Sequence, residues 1–524
     1  MIFISPHPTV TIPKLSLTDF VLQRAADLGD KAAIIEGQSG RVITYAQLEP
    51  LIRRLASGLA ALGFKKGDVL AIYSPNLPEF AIAFHAAVSL GGVVTMVPPL
   101  FTDDEIKTQL RDSGASFLLT IPQLRDKARE AATDAIQKII VIGESENAIS
   151  FASLLNNEGK PPKSTIDPQK DLAALPYSSG TTGFPKGVML THYNLVSMLC
   201  QLQANDPPRE DDTMICLVPM YHLYGLHVVM NLALSQGATV VTLPRYDLPQ
   251  FLEALQKYKV TIAPLVPPLV LALSRAPEVD DYDLSHLRVI HCGAASLSNT
   301  VAQACSQRLD CEIKYGYGLT EVSPLSHASS PLKPGKAGSV GHCLPNTECK
   351  VVDPETKVEL GANEEGEIWI RGPQVMKGYL GNQQATAEMI DEAGWLRSGD
   401  IGFVDDDGGL FVVDRLKELI KYKGRQVAPA ELEAILLSHP AVADAGVIPS
   451  PDAEAGEVPK AFVVLKSEAN EAEIMEFVAQ RVAPHKRIRQ VEFVKEIPKS
   501  PAGKILRRLL VRRERTRTRT QPTS

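Results

Sequence analysis

The chain has 524 residues, 44% hydrophobic and 22% charged, with a formal net charge of −7. That length exceeds what one hydrophobic core serves, so two or more domains are expected, and the composition is that of a globular protein. The charge excludes a protein that coats nucleic acid over its whole surface. The seven scattered cysteines include no C-x-x-C pair, which excludes a zinc knuckle, a redox motif or a complete disulfide set and predicts reduced thiols in a cytoplasmic protein.

Met1–Leu17 has prolines and no basic region ahead of an apolar core, so it does not read as a signal peptide. Residues 18–150 alternate helical and strand patterns. Strands are predicted at Ala33–Glu36, Val69–Ser74, Val93–Val97, Leu118–Thr120 and Ile139–Ile142, with a helix at Pro78–Leu90. Near-continuous apolar strands separated by helices imply a doubly wound parallel sheet. The most apolar window, Phe80–Leu100, is broken by His85, Gly91–Gly92 and Pro98–Pro99, so a buried helix and strand are expected there, not a membrane span.

Tyr177–His192 reads Y-S-S-G-T-T-G-F-P-K-G-V-M-L-T-H. Glycine amides can approach an anion closely, hydroxyls donate to phosphate oxygens, and Lys186 adds a point charge. This is triphosphate-binding chemistry in the hands of Ser178, Ser179, Gly180, Thr181, Thr182, Gly183 and Lys186. It is not a Walker A loop, because Pro185 stands where the second glycine belongs. Read alone, such a stretch is equally consistent with a solvated linker.

Strands resume at Thr213–Val218, Ala238–Leu243, Thr261–Val266 and Val289–Cys292, enough for a second sheet. Pro219–Gly225 reads P-M-Y-H-L-Y-G, placing His222 between aromatics; His291–Ser298 reads H-C-G-A-A-S-L-S. Tyr315–Glu321, Y-G-Y-G-L-T-E, offers the flat ring of Tyr317 beside bare backbone, suited to stacking a planar base. Thr320 and Glu321 supply hard oxygens suited to Mg²⁺ or Mg²⁺-bound phosphate.

From Lys336 to about Asp414, short β-rich runs (Glu348–Val352, Gly366–Arg371, Leu410–Val413) predict a small barrel or sandwich. Trp395–Asp400, W-L-R-S-G-D, ends in a carboxylate able to accept two hydrogen bonds from vicinal hydroxyls. The segment Leu416–Lys423, the helices Pro429–Leu437 and Glu471–Val482, and the strands Ala445–Ile448 and Lys460–Leu465 make a compact unit of about a hundred residues. The Arg/Thr alternation of Val511–Ser524 reads as a disordered basic end.

Taken together, S-S-G-T-T-G-F-P-K-G, the P-x-x-H segment, Y-G-Y-G-L-T-E, the Asp414–Glu433 string D-R-L-K-E-L-I-K-Y-K-G-R-Q-V-A-P-A-E-L-E and P-K-S-P-A-G-K-I-L-R-R (Pro498–Arg508) resemble the adenylate-forming superfamily. The match runs in family order from about Asp19 to Arg508. Within the superfamily the chain looks most like 4-coumarate–CoA ligases and bacterial cinnamate–CoA ligases, on the phosphate loop, on Gly366–Leu380 and on the hinge string.

The resemblance implies an α/β fold: a large N-terminal region of two doubly wound sheets plus a small β-barrel, and a mobile small α/β C-terminal domain. The expected boundaries are 1–414 for the ATP- and acyl-binding domain and 415–524 for the mobile domain, with a hinge near 414–417 and a disordered tail from about 511. It implies an AMP-forming acid–thiol ligase using ATP, Mg²⁺ and coenzyme A, without nucleic acid or a membrane span, as a monomer or homodimer. Lys504 then serves the α-phosphate and His222 lies beside the acyl carboxylate. Asp400 and Arg415 hold the ribose, Lys417 is the hinge residue, and Lys421 belongs to the second half-reaction with Lys423, Gly424 and Gln426. Ala294, Tyr315, Gly316, Tyr317, Gly318 and Thr320 complete the nucleotide site. The acyl group is expected against Leu223, Tyr224, His227, His291, Gly293, Ala294, Gly318, Pro324 and Leu325, in a slot walled by Gly293, Gly316 and Gly318 and facing Tyr224.

Four departures from the family bear on the acyl end: Ser296 for proline, Tyr315 for glutamine, His291 for lysine, and His227 where a small or amide residue is common; His227 and His291 can each offer a hydrogen bond to the substrate's ring end. They leave catalysis intact and bear on ring-substituent preference. Rival readings are a medium-chain fatty acyl-CoA synthetase, a luciferase-type oxygenase and a non-catalytic nucleotide-binding protein.

Overall fold

The computed structural model describes residues 1–524 except 133, 145–147, 179–184, 296, 424, 453–454, 500–502, 504 and 521–524, and for 425, 426 and 515–520 it describes the backbone alone. The first large sheet has the parallel strands Leu172–Ala174, Val93–Met96, Val69–Tyr73, Ala115–Thr120, Lys138–Val141 and Ile149–Ser150 in that spatial order. Its edge beside Leu172–Ala174 is antiparallel, formed by Lys186–Thr191, which also pairs with Tyr177–Ser178 and Gly378–Tyr379. In the second sheet, parallel strands run from Glu312–Tyr317 through Val289–Cys292, Ile262–Leu265 and Thr213–Cys216 to Thr239–Thr242 and Ala32–Glu36.

One hydrophobic cluster contains residues of both sheets and of the helices Pro78–Ser89 and His192–Asn205. The helices therefore fill the layer between two sheets, which is why Pro78–Ser89 reads apolar on every face. Separate clusters around Leu265 and around Leu118 cover the outer faces. Among the described residues no helix is long and apolar enough to cross a membrane.

The β-rich run forms a five-stranded antiparallel sheet, Ile2–Ile4, Glu348–Val352, Gly366–Arg371, Leu396–Val404 and Leu410–Arg415. It is an open sheet, which corrects the expected barrel. Closure requires the last strand to pair with the first; instead Leu410 exchanges main-chain hydrogen bonds with Val340 and Gly341, and its strand leads into the Leu416–Glu418 turn.

The C-terminal unit has its own sheet, built on the long hairpin Val442–Asp452/Gly456–Leu465, with the helices Pro429–Leu437 and Glu471–Ala479 and a separate core. Where the composition alone reads as a disordered end, a helix spans Arg507–Thr520. Leu510 is buried against Ile448, Phe462 and Ile497, Glu514 pairs with Lys460, and Arg513 reaches Glu492 at 2.9 Å. Tertiary anchors at its start supply what the polar composition does not.

Candidate active site

The site begins where the first sheet's antiparallel edge meets the end of the second sheet. Lys186 opens the strand Lys186–Thr191, and Ser178 sits directly opposite it in register. Ser178 Oγ donates to Glu321 Oε1 at 2.8 Å, and Tyr379 Oη donates to the same oxygen at 2.8 Å. Lys186 Nζ lies 5.0 Å from the centroid of the Tyr379 ring. Glu321, only 5% exposed, thus ties the phosphate-loop strand, the Gly378–Tyr379 strand and the Thr320–Val322 turn into one polar knot. Tyr379 lay within the motif Gly366–Leu380 but drew no role from the sequence; only the register of strand 378–379 on Lys186–Thr191 brings it here. Burial, then the Glu321 carboxylate, holds the Tyr379 phenol far above its ordinary range, so it remains a donor.

Tyr317 ends the strand Glu312–Tyr317. Its hydroxyl donates to Asp400 Oδ2 at 2.8 Å, and Asp400 Oδ1 lies 3.2 Å from Arg415 Nε across paired strands. Burial and the neighbouring Asp400 charge keep the Tyr317 phenol protonated. The ring predicted to stack a base and the two residues predicted to hold a ribose therefore form one contiguous group. Tyr315 donates its backbone N–H to Ser329 Oγ at 2.9 Å, and burial pushes its phenol pKa up to about 12.

On the acyl side, a π-helical segment Tyr224–Asn231 carries Tyr224 and His227. Tyr224 Oη donates to His291 O at 2.8 Å, and a Cβ built on Gly293 would meet the Tyr224 ring at 3.4 Å, so Gly293 does face Tyr224. Gly318 differs from expectation. A Cβ there would lie 2.1 Å from Pro324 O and 2.7 Å from Leu325 Cα, and one on Gly316 would lie 3.1 Å from the Leu325 side chain. Gly318 thus admits the Pro324–Leu325 backbone, and Gly316 the Leu325 side chain, on the faces a Cβ would occupy. Leu223 is 3% exposed and belongs to the central core. Ala294 holds φ +70, a conformation costly for a residue with a Cβ and concentrated at functional sites.

The three histidines separate clearly. The His222 ring lies 4.9 Å from that of Tyr221, tilted 53° to it, and burial lowers its pKa to about 4, so it is neutral at pH 7. His227 is fully buried; Nε2 donates to Leu195 O at 2.9 Å and Nδ1 accepts from Asn231 Nδ2 at 3.0 Å. Both nitrogens are used, which corrects the expectation that His227 offers one to a ligand. His291 lines a small cavity of about 20 Å³ with Asp206, Arg288, Val228 and Leu232. Burial lowers its pKa to about 4, Asp206 opposing and Lys314 reinforcing that shift. Lys314 pairs with Asp206 at 2.6 Å, and Arg288 with Asp212 at 2.7 Å.

Lys417 and Lys421 are exposed, and Lys423 has φ +47. Gln426 lies on the strand Arg425–Val427, paired with Lys421. Lys499 bridges to Ile505 and pairs with Asp444 at 2.6 Å, and a Cβ on Gly503 would meet Pro268, in the first turn of the helix Pro267–Arg275, at 3.0 Å. Ser179, Gly180, Thr181, Thr182, Gly183, Gly424 and Lys504 lie outside the described residues. Among the described residues no cluster of three His, Cys, Asp or Glu could hold a metal by itself. A single buried carboxylate such as Glu321 fits a Mg²⁺ ion that takes its other ligands from phosphate and water.

Comparison with known proteins decides the family. The AMP-binding enzyme model matches residues 21–380, and the AMP-binding enzyme C-terminal domain model matches 431–504. The chain belongs to the AMP-binding enzymes. Among its relatives, 4-coumarate–CoA ligase 2 of Petroselinum crispum is 46% identical, over 97% of this chain and 96% of that one. The 4-coumarate–CoA ligase of Vanilla planifolia is 44% identical, over 97% and 95%. Solved structures share the fold: the anthranilate CoA ligase AuaEII in complex with anthranoyl-AMP (TM-score 0.89, 26% identity, 97% of this chain and 99% of that one) and ATP-bound MatB from Rhodopseudomonas palustris (TM-score 0.87, 28% identity, 95% and 98%). Both are adenylate-forming enzymes of two-domain architecture.

Proposed function

We propose that this AMP-binding enzyme is an ATP-dependent aromatic acid–CoA ligase of the 4-coumarate type. The observation that carries the reading is 44–46% identity over nearly the whole chain to curated 4-coumarate–CoA ligases; two polar groups support it, Ser178–Glu321–Tyr379 beside Lys186 and Tyr317–Asp400–Arg415.

In the first half-reaction a carboxylate oxygen attacks the α-phosphorus of ATP, the bond to pyrophosphate breaks, and acyl-AMP forms. Lys186 and the Ser178 hydroxyl face the phosphates, with Lys504 adding charge at the α-phosphate. Preorganised donors aimed at developing charge are the largest catalytic lever available here. Mg²⁺, held by Glu321 and Thr320, would neutralise phosphate charge. Tyr317 presents its ring to adenine while Asp400 and Arg415 take the ribose hydroxyls. Neutral His222 beside the acyl carboxylate can donate one hydrogen bond without forming an ion pair that would blunt its nucleophilicity. In the second half-reaction CoA thiolate attacks the acyl carbonyl and AMP leaves. Two domains, 1–414 and 415–524, turning about residues 414–417 would exchange Lys504 for Lys421 between the steps.

CoA-dependent AMP release across cinnamate, 4-coumarate, caffeate, benzoate and octanoate tests the reading. A kcat/KM for octanoate above that for 4-coumarate would overturn the aromatic assignment, and no ATP–pyrophosphate exchange with any acid would overturn the ligase assignment.

A further inference from the structure

Glu367 belongs to none of the groups assigned above, yet it grips the backbone that presents Asp400. It is 6% exposed. Its Oε2 accepts the indole N–H of Trp369 at 2.9 Å, and its Oε1 accepts the N–H of Gly399 at 3.2 Å. The carbonyl of the same Gly399 accepts the N–H of Leu416 at 2.9 Å. Gly399 is therefore held from two sides, by a carboxylate on the strand Gly366–Arg371 and by the turn that follows Arg415. Its φ of +70 is left-handed, so the chain kinks there and the next residue, Asp400, projects towards Tyr317.

The two grips differ in kind. Gly366–Arg371 pairs on both sides within the five-stranded sheet. Lys350 Nζ at 5.0 Å and the Arg397 guanidinium at 4.9 Å both lie over the Trp369 ring, which holds the indole that in turn holds Glu367. Leu416, by contrast, lies in the segment about which the C-terminal domain is read to turn. Any rotation there moves or breaks the Leu416–Gly399 bond, and the pull falls on the peptide joining Gly399 to Asp400.

We propose that Glu367 is a positioning residue that isolates Asp400 from the hinge. It anchors the Gly399 N–H so that the ribose-binding carboxylate keeps its place while the Leu416 contact is made and broken. This rests on the reading above of Asp400 as ribose ligand and of residues 414–417 as hinge. Its chemical consequence is retention of the acyl-adenylate: without the anchor, domain rotation drags Asp400, and the intermediate escapes before thiolate attack.

Glu367→Gln tests this, because a carboxylate accepts at both oxygens while an amide accepts at one and turns N–H towards the other donor. Two N–H groups converge on this side chain, so the glutamine serves only one. Trp369→Phe removes the competing donor, and in the double variant the amide oxygen is free to return to Gly399. In single-turnover assays with 4-coumarate, ATP and CoA, Glu367→Gln is expected to raise the ratio of released acyl-AMP to thioester about tenfold, on the scale of one hydrogen bond to a charged group. The KM for ATP should rise and that for the acid stay unchanged. The double variant should return the ratio to that of Trp369→Phe alone. If Glu367→Gln does not fold, Glu367→Asp, which keeps both acceptors but shortens the reach to Gly399, must show the same leak. An unchanged ratio, a leak not reversed in the double variant, or an equal rise in KM for ATP, acid and CoA would each overturn the proposal. A wild-type protein inactive with every acid would instead overturn the ligase reading on which it rests.

Discussion

Glu321→Gln separates the structural and chemical roles of the knot at the phosphate loop. Two hydroxyls, from Ser178 and Tyr379, meet a single oxygen of Glu321, each at 2.8 Å. A glutamine oxygen in the same place accepts both, so the geometry survives and only charge assistance is lost. Charged hydrogen bonds contribute about 1.5–3 kcal/mol and neutral ones about 0.5–1.5 kcal/mol, so the two together lose about 2 kcal/mol of stability. For a chain of this size that lowers Tm by no more than several degrees. If the carboxylate also holds the phosphate-bound cation, losing a buried charge partner of the transition state should lower the adenylation rate about 10²–10³-fold. ATP–pyrophosphate exchange measured against Mg²⁺ concentration reads this directly: the rate falls and the Mg²⁺ midpoint moves to higher concentration. Exchange within about threefold of wild type at an unchanged Mg²⁺ midpoint would refute the metal role and leave Glu321 as a strut.

His291→Ala should change the ratio of kcat/KM for cinnamate over 4-coumarate, since a polar partner discriminates strongly for a substrate hydroxyl. His227→Ala should lower Tm and leave that ratio alone, because both ring nitrogens are spent on Leu195 and Asn231; the reverse pattern would show the roles to be exchanged. Lys504→Ala should lose acyl-adenylate formation from ATP yet convert supplied acyl-adenylate and CoA to thioester, and Lys421→Ala the opposite; pre-steady-state rates in which both variants lose both halves equally reject the rotating-domain scheme. Glu433 is buried, and burial outweighs Arg507 in raising its pKa from 4.5 to about 7. A group raised on folding contributes stability that is complete below its unfolded pKa and is lost as pH rises through its folded pKa. Wild type should therefore lose up to about 3 kcal/mol relative to Glu433→Gln between pH 4.5 and about 7; a difference flat across that range in denaturant titrations shows that Glu433 does not titrate there.

Much of this protein was legible without coordinates, because its chemistry is carried by short contiguous strings. A phosphate loop needs hydroxyls, glycines and a lysine close in sequence, and the parallel strands announce themselves as apolar runs. Val289–Cys292, Glu348–Val352, Gly366–Arg371 and Pro429–Leu437 have the bounds their patterns predict. What only the tertiary structure decided is pairing between distant segments. Local pattern shows that Ala32–Glu36 is a strand but not that it joins Thr239–Thr242 in the second sheet. It shows that residues 336–414 are β-rich but not that Val340 and Gly341 occupy the edge that a barrel would have closed. Tyr379 enters the site through its register on Lys186–Thr191, and His227 leaves the list of free donors because the Leu195 carbonyl takes its Nε2–H. The physical reason is common to all of these. A side chain's chemistry is local, whereas what its polar atoms bond to is settled by segments tens to hundreds of residues away, competing for the same donor or acceptor.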